Sequence, residues 1–227
     1  MNDIRDHQRV NNILLGPLER PALKWLAAHL PLWVTPDACT FIGMLGALLI
    51  AVSYALSNLD RGFLWLASFG FFVNWFGDSL DGTLARRRNI ERPVFGFFVD
   101  HTMDAVSQVI IFLGLGLTPY ISFSIACLAL IGYLLLSVLV FVRTCATGEF
   151  KISYGKLGPT EIRAMAIVLN TILFFLGRRD FSLAAGPLGQ LVLNPYDILL
   201  TGVTVLLVIF FSVTAVQESI RIGKEGR

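Results

Sequence analysis

The sequence predicts an all-α, polytopic membrane protein: six transmembrane helices preceded by an N-terminal amphipathic helix lying at the interface. Three observations predict it. Hydrophobic residues make up 55% of the 227-residue chain and charged ones 15%, mean hydropathy is +0.70, and lysine and arginine are distributed one-sidedly. Soluble domains carry roughly 25% charged residues, so too few charges exist here to cover a water-facing surface.

Six apolar runs, near 38–58, 62–82, 96–117, 120–145, 161–177 and 197–217, reach or approach the length of about 20 helical residues that crosses a hydrocarbon core. Helix is the form open to each, because lipid offers backbone groups no hydrogen-bond partners. Ahead of them, residues 12–33 mix Leu14, Leu15, Leu18, Leu23 and Leu26 with Glu19, Arg20 and Lys24. That mixture suits a helix in the interface plane with Trp25 and Trp33 at headgroup depth. Pro31 and Pro36 break the helix before the first span. The predicted division is therefore 1–36, interfacial, and 37–227, the six-helix domain.

Placing the N-terminus in the cytoplasm leaves only Arg61, Arg178 and Arg179, of 18 Lys and Arg residues, on the far side. This bias predicts that both termini are cytoplasmic, which an even number of spans satisfies. Residues 1–30 do not read as a signal peptide, since charges recur before any long apolar run. Cys39, Cys127 and Cys145 lack metal or disulfide spacing and read as small hydrophobes. A net charge of +2 gives no sign of a nucleic-acid partner.

The unusual residues lie where the second predicted span meets the third, in GDSLDGTLARRRNIERPVFGFFVDHTMDA, residues 77–105. An unpaired charge at membrane depth costs about 2.5–3.5 kcal/mol on insertion scales, and four aspartates together would also repel one another. Divalent cations offset both. On a helix, positions three or four apart share a face. Asp78 and Asp81 are so related, with Gly82, Ala85 and Arg86 continuing the stripe, while Gly96, Asp100 and Asp104 recur at intervals of four. Adjacent antiparallel helices would aim both pairs into one gap. Hard oxygen ligands of this kind favour Mg²⁺ or Mn²⁺ completed by substrate phosphates. The small residues let a ligand approach the helix backbones, although tight helix packing would use them equally well. Arg86 suits phosphate oxygens; Arg87, Arg88 and Arg92 suit topology or lipid headgroups.

This string resembles the signature of the CDP-alcohol phosphotransferase family, D-x-x-D-G-x-x-A-R followed by G-x-x-x-D-x-x-x-D, at every fixed position from Asp78 to Asp104. The resemblance implies a six-helix, usually dimeric catalytic domain with a cavity open to the cytoplasm and sideways to lipid. It implies that Asp78, Asp81, Asp100 and Asp104 hold two Mg²⁺ or Mn²⁺ ions, with Asp104 also the general base. Asp78, Asp81, Gly82, Ala85, Arg86 and Gly96 would bind the nucleotide of a CDP-linked donor. Pro36-Asp37-Ala38-Cys39-Thr40 departs from the family's Pro-Asn-x-x-Thr by its aspartate. A helix N-cap is one reading of Asp37.

For the acceptor alcohol, Arg143, Lys156 and Arg163 are candidate contacts in the connection between the fourth and fifth spans; Lys151 and Lys156 are equally well topology residues. Their positive charge favours CDP-diacylglycerol as donor, a polar alcohol as acceptor and CMP as the product released. The alternative is a choline or ethanolamine phosphotransferase using CDP-choline or CDP-ethanolamine and diacylglycerol, which PLWVTPDACTFIG and GPTE resemble. Phosphatidylglycerol as acceptor is a further option. A prenyltransferase would have two aspartate motifs far apart. A cation transporter has no need of Arg86 or of glycines in register with the carboxylates. His101, one residue from Asp100, is expected to point elsewhere.

Overall fold

The structure, a computed structural model, describes residues 14–147, 158–184 and 190–225. Seven helices fill most of it: α1 (Gly16–His29), α2 (Pro36–Leu56), α3 (Phe63–Arg88), α4 (Pro93–Gly116), α5 (Phe123–Thr147), α6 (Pro159–Leu176) and α7 (Pro195–Glu225). Helices α2 to α7 coincide with the six apolar runs. Five of them are long and apolar enough to cross a membrane, which makes this an integral, multi-pass membrane protein. The exception is α3. Its second half carries Asn74, Asp78, Asp81 and three consecutive arginines, so it pays for the site in apolar character. It runs on to Arg88 and stops at Asn89, whose left-handed φ of 54° is a conformation asparagine tolerates better than most residues.

One small feature was not expected from the sequence. Between α6 and α7, β1 (Phe181–Ala184) and β2 (Gln190–Leu193) form an antiparallel hairpin with Phe181 opposite Leu193. Four-residue strands are too short for a period of two to be told from loop composition.

Packing starts from α2, which lies against both α3 and α4. Its contact with α3 is glycine on glycine. A Cβ on Gly77 would stand 2.2 Å from the Gly43 amide nitrogen and 2.4 Å from the Cys39 carbonyl oxygen, and one on Gly46 would stand 2.5 Å from the Asn74 nitrogen. Such close approach is how small residues bring helix backbones together in lipid, where dispersion replaces the hydrophobic drive. Helix α6 is then keyed to α2 and α3 by a buried polar bridge. The Tyr54 hydroxyl donates to Asn170 Oδ1 at 2.9 Å, and Asn170 Nδ2 donates to Ser68 Oγ at 3.2 Å. Every member has a partner, as buried polar groups require.

Helix α1 docks by Leu23 and Ala27 into a cluster with Val34, Cys39, Leu80 and Leu84. Glu19 Oε1 accepts from Trp75 Nε1 at 2.8 Å, Thr160 Oγ1 at 2.9 Å and Ser79 Oγ at 3.1 Å. Glu161, in the GPTE segment, accepts from the Leu15 N–H at 2.8 Å and the Gly158 N–H at 2.9 Å. Trp25 and Trp33 stay on the outside.

Several residues differ from their expected roles. Arg88 donates to the carbonyls of Leu30, Pro31, Leu32 and Val34, satisfying acceptors left over where α1 ends. Arg92 pairs with Asp37 and lies over the Phe95 ring at 4.2 Å. The N-cap of α2 is Thr35, accepting from the Ala38 N–H at 3.1 Å, and not Asp37. The cysteines are free as expected, but only Cys39 is buried and Cys145 is exposed.

The glycine contact predicts a contrast. Gly77→Ala forces two backbones apart and should destabilise by about 1–3 kcal/mol, lowering the melting temperature in detergent. Gly96→Ala meets nothing within 4 Å and should leave that temperature unchanged.

Candidate active site

Helices α3 and α4 both rest on α2, and the gap between them is a recess lined by Thr40, Gly43 and Met44 of α2, Asn74 and Asp78 of α3, and Asp100, Met103, Asp104 and Ser107 of α4. The i, i+4 spacing turns Asp100 and Asp104 to the same side of α4. Asp78 meets them from α3. One carboxylate oxygen from each of the three lies within 4.8 Å of the others, and all three residues are half-buried. A magnesium ion with oxygens at about 2.0–2.1 Å spans roughly 4.2 Å between opposite ligands. Neighbouring ligands around such an ion lie about 3 Å apart, so the three carboxylates would draw in to hold one, and their all-oxygen chemistry fits Mg²⁺ or Mn²⁺.

The fourth aspartate is arranged differently. Asp81 Oδ2 accepts from Thr40 Oγ1 at 2.7 Å and Oδ1 accepts from the Gly82 N–H. It sits one turn along α3 and is not in the three-carboxylate group. Thr40, prominent in the sequence only as the end of Pro36-Asp37-Ala38-Cys39-Thr40, thus positions an acidic side chain.

The small residues leave room. The nearest atoms to a Cβ on Gly82 belong to the Arg86 guanidinium, at 3.3 Å, and one on Gly96 would meet nothing within 4 Å. Ala85 is half-buried on the same helix. Arg86 is exposed and bonds Thr83 Oγ1 at 3.3 Å, one turn back. His101 is not among the residues lining the recess: its ring stacks on Phe97 at 4.2 Å and lies 5.2 Å from Phe141, with Nδ1 3.3 Å from Asp100 Oδ2.

Two of the cations assigned to an acceptor are held by acids of this chain. Arg163 Nη2 donates to Asp78 Oδ2 at 2.7 Å and its Nε to Asn74 Oδ1 at 2.8 Å. Arg143, buried on α5, lies 3.1 Å from Glu218 of α7, which also meets Arg221 at 3.0 Å. Lys151 and Lys156 fall outside the described residues. Sequence reasoning missed Asn74 altogether, although a lone asparagine in an apolar stretch four residues before Asp78 was a signal.

Cholinephosphotransferase 1 of Homo sapiens is 28% identical over 178 residues, covering 72% of this chain and 42% of the relative. The Gallus gallus protein of that name is 29% identical over 176 residues, covering 72% of this chain and 50% of the relative. Phosphatidylinositol phosphate synthase of Cutibacterium acnes (strain DSM 16379 / KPA171202) is 38% identical over 92 residues, 40% of each chain. The chain spans half the length, or less, of these curated relatives. The profile of the CDP-alcohol phosphatidyltransferase family matches residues 33–214, which takes in α2 to α6 and most of α7. The chain belongs to the CDP-alcohol phosphatidyltransferase family.

Proposed function

We propose that the chain catalyses metal-dependent transfer of a phosphoalcohol group, of the choline or ethanolamine kind, from its CDP-activated form to the hydroxyl of a diacylglycerol, releasing CMP. The observation that carries the choice of substrates is the internal pairing of Arg163 with Asp78 and of Arg143 with Glu218. A polar acceptor bearing phosphate would need such cations unspent, whereas a neutral lipid hydroxyl would not. Similarity to cholinephosphotransferases over 72% of the chain supports the same direction. The second reading keeps the chemistry and exchanges the roles: CDP-diacylglycerol as donor and a polar alcohol as acceptor. It draws support from the 38% identity to a phosphatidylinositol phosphate synthase.

In either case Asp78, Asp100 and Asp104, with Asp81 beside them, would hold Mg²⁺ or Mn²⁺. When bound, the ions supply positive charge to the diphosphate and to the leaving CMP. Gly82, Ala85 and Gly96 leave the backbones of α3 and α4 open to the nucleotide, and Arg86 reaches its phosphate oxygens. Asp104 takes the proton of the acceptor hydroxyl as that oxygen bonds to phosphorus. The phosphorus–oxygen bond to CMP breaks, and CMP leaves with the electron pair.

The setting follows from charge and exposure. Arginine and lysine bias places both termini and the site on the cytoplasmic side, with α3 as a sixth span. Helix α1 lies at the interface with Trp25 and Trp33 among headgroups. A homodimer is the expected assembly.

Purified protein with Mn²⁺ should release CMP from CDP-choline or CDP-ethanolamine only when diacylglycerol is added. Release from CDP-diacylglycerol with inositol phosphate, glycerol phosphate or serine, and none from the first pair, would install the second reading. Asp104→Asn should cut turnover by about 10²–10⁴-fold, the usual contribution of a positioned base, while nucleotide binding persists in part. Turnover at the unsubstituted rate in that variant would remove the base assignment.

A further inference from the structure

Arg163 enters the site from α6 and is only 8% exposed. A buried guanidinium is costly unless its charge is paired and its donors are used. Nε and Nη2 are used, on Asn74 and Asp78, while Nη1 is buried without a hydrogen-bond partner among the described residues. Asn74 is itself fixed, since its Nδ2 donates to the Gly43 carbonyl at 2.9 Å in the α2–α3 contact. The guanidinium therefore joins α6 to α3 at the aspartate cluster, and Asn74 carries the link on to α2. A purely structural ion pair would not be expected to leave an N–H of a buried charge unmet, because a buried donor without an acceptor is destabilising.

We propose that Arg163, held in place by Asn74, is a positioning residue for the metal site, fixing Asp78 through Oδ2 so that Oδ1 is presented to a divalent cation. Carboxylates that ligate metals are oriented by outer hydrogen bonds of this kind. A planar fork suits the task, because Nε and Nη2 point to two acceptors along fixed directions. Nη1 meets no acceptor among the described residues and is available to a water brought in with the ion. Asp78 thereby holds its place in the recess before any ligand arrives, and the guanidinium offsets part of the repulsion from Asp100 and Asp104. This inference rests on the metal-dependent reading above.

The test is Mn²⁺ affinity without nucleotide, read by electron paramagnetic resonance on the purified full chain in nanodiscs. Arg163→Gln should weaken binding by about 10–100-fold, the usual effect of losing an outer-shell partner. Asn74→Ala, which retains the arginine, should weaken it in the same direction and by less. It carries the test if Arg163→Gln fails to fold. Arg163→Lys should not restore affinity, because one ammonium cannot reach both acceptors in this geometry. Asn170→Ala, which breaks the other buried bridge on α6, should lower the melting temperature and leave Mn²⁺ affinity unchanged. Unchanged or tighter binding in both Arg163→Gln and Asn74→Ala, or equal weakening in Asn170→Ala, overturns the positioning role alone. Absence of saturable Mn²⁺ binding by the unsubstituted protein overturns the metal centre and this inference together.

Discussion

Mutual repulsion of carboxylates in a partly dry gap is the constraint around which the rest of this fold is arranged. Asp78, Asp100 and Asp104 bring one oxygen each to within 4.8 Å of the others, and at such separations like charges act strongly wherever water is scarce. Among the described residues, the arginine paired with this group of three acids is Arg163. Such an imbalance leaves room for further positive charge, which is the chemical requirement of a site that binds divalent ions and a diphosphate.

Holding that arrangement demands a rigid frame, and the frame is built from contacts that tolerate little change. Gly43 and Gly77 let α2 and α3 touch by their backbones, which sets where Asp78 can be. Tyr54, Asn170 and Ser68 fasten α6 to α2 and α3 seven residues beyond Arg163, an attachment separate from the one at the recess. Arg88 and Glu19 tie α1 and its connection to the ends of α3 and α6. Polar atoms within the helices are thus divided between those that close the frame and those that face the recess.

Much of this was legible in the chain. Length and apolarity located all six long helices, because backbone satisfaction in lipid leaves few alternatives. The periodicity of four in Gly96, Asp100 and Asp104 showed which side of α4 faces the site. Partners distant in sequence were not legible. Nothing local to Asp81 announces Thr40, and nothing near Arg163 announces Asn74, since each pairing depends on how whole helices cross. Charge was misleading for the same reason. Arg143 and Arg163 read as cations waiting for a substrate, yet each had an acid of its own more than 70 residues away. The hairpin after α6 is set by pairing between its strands, a relation that no four-residue stretch contains.

The account stands or falls on whether these acids gather metal. Crystals of the protein soaked with Mn²⁺ and measured for anomalous scattering would decide it. The expected map has manganese density bounded by Asp78, Asp100 and Asp104, with Arg163 still on Asp78. Carboxylates turned apart, or manganese bound only elsewhere, would contradict it.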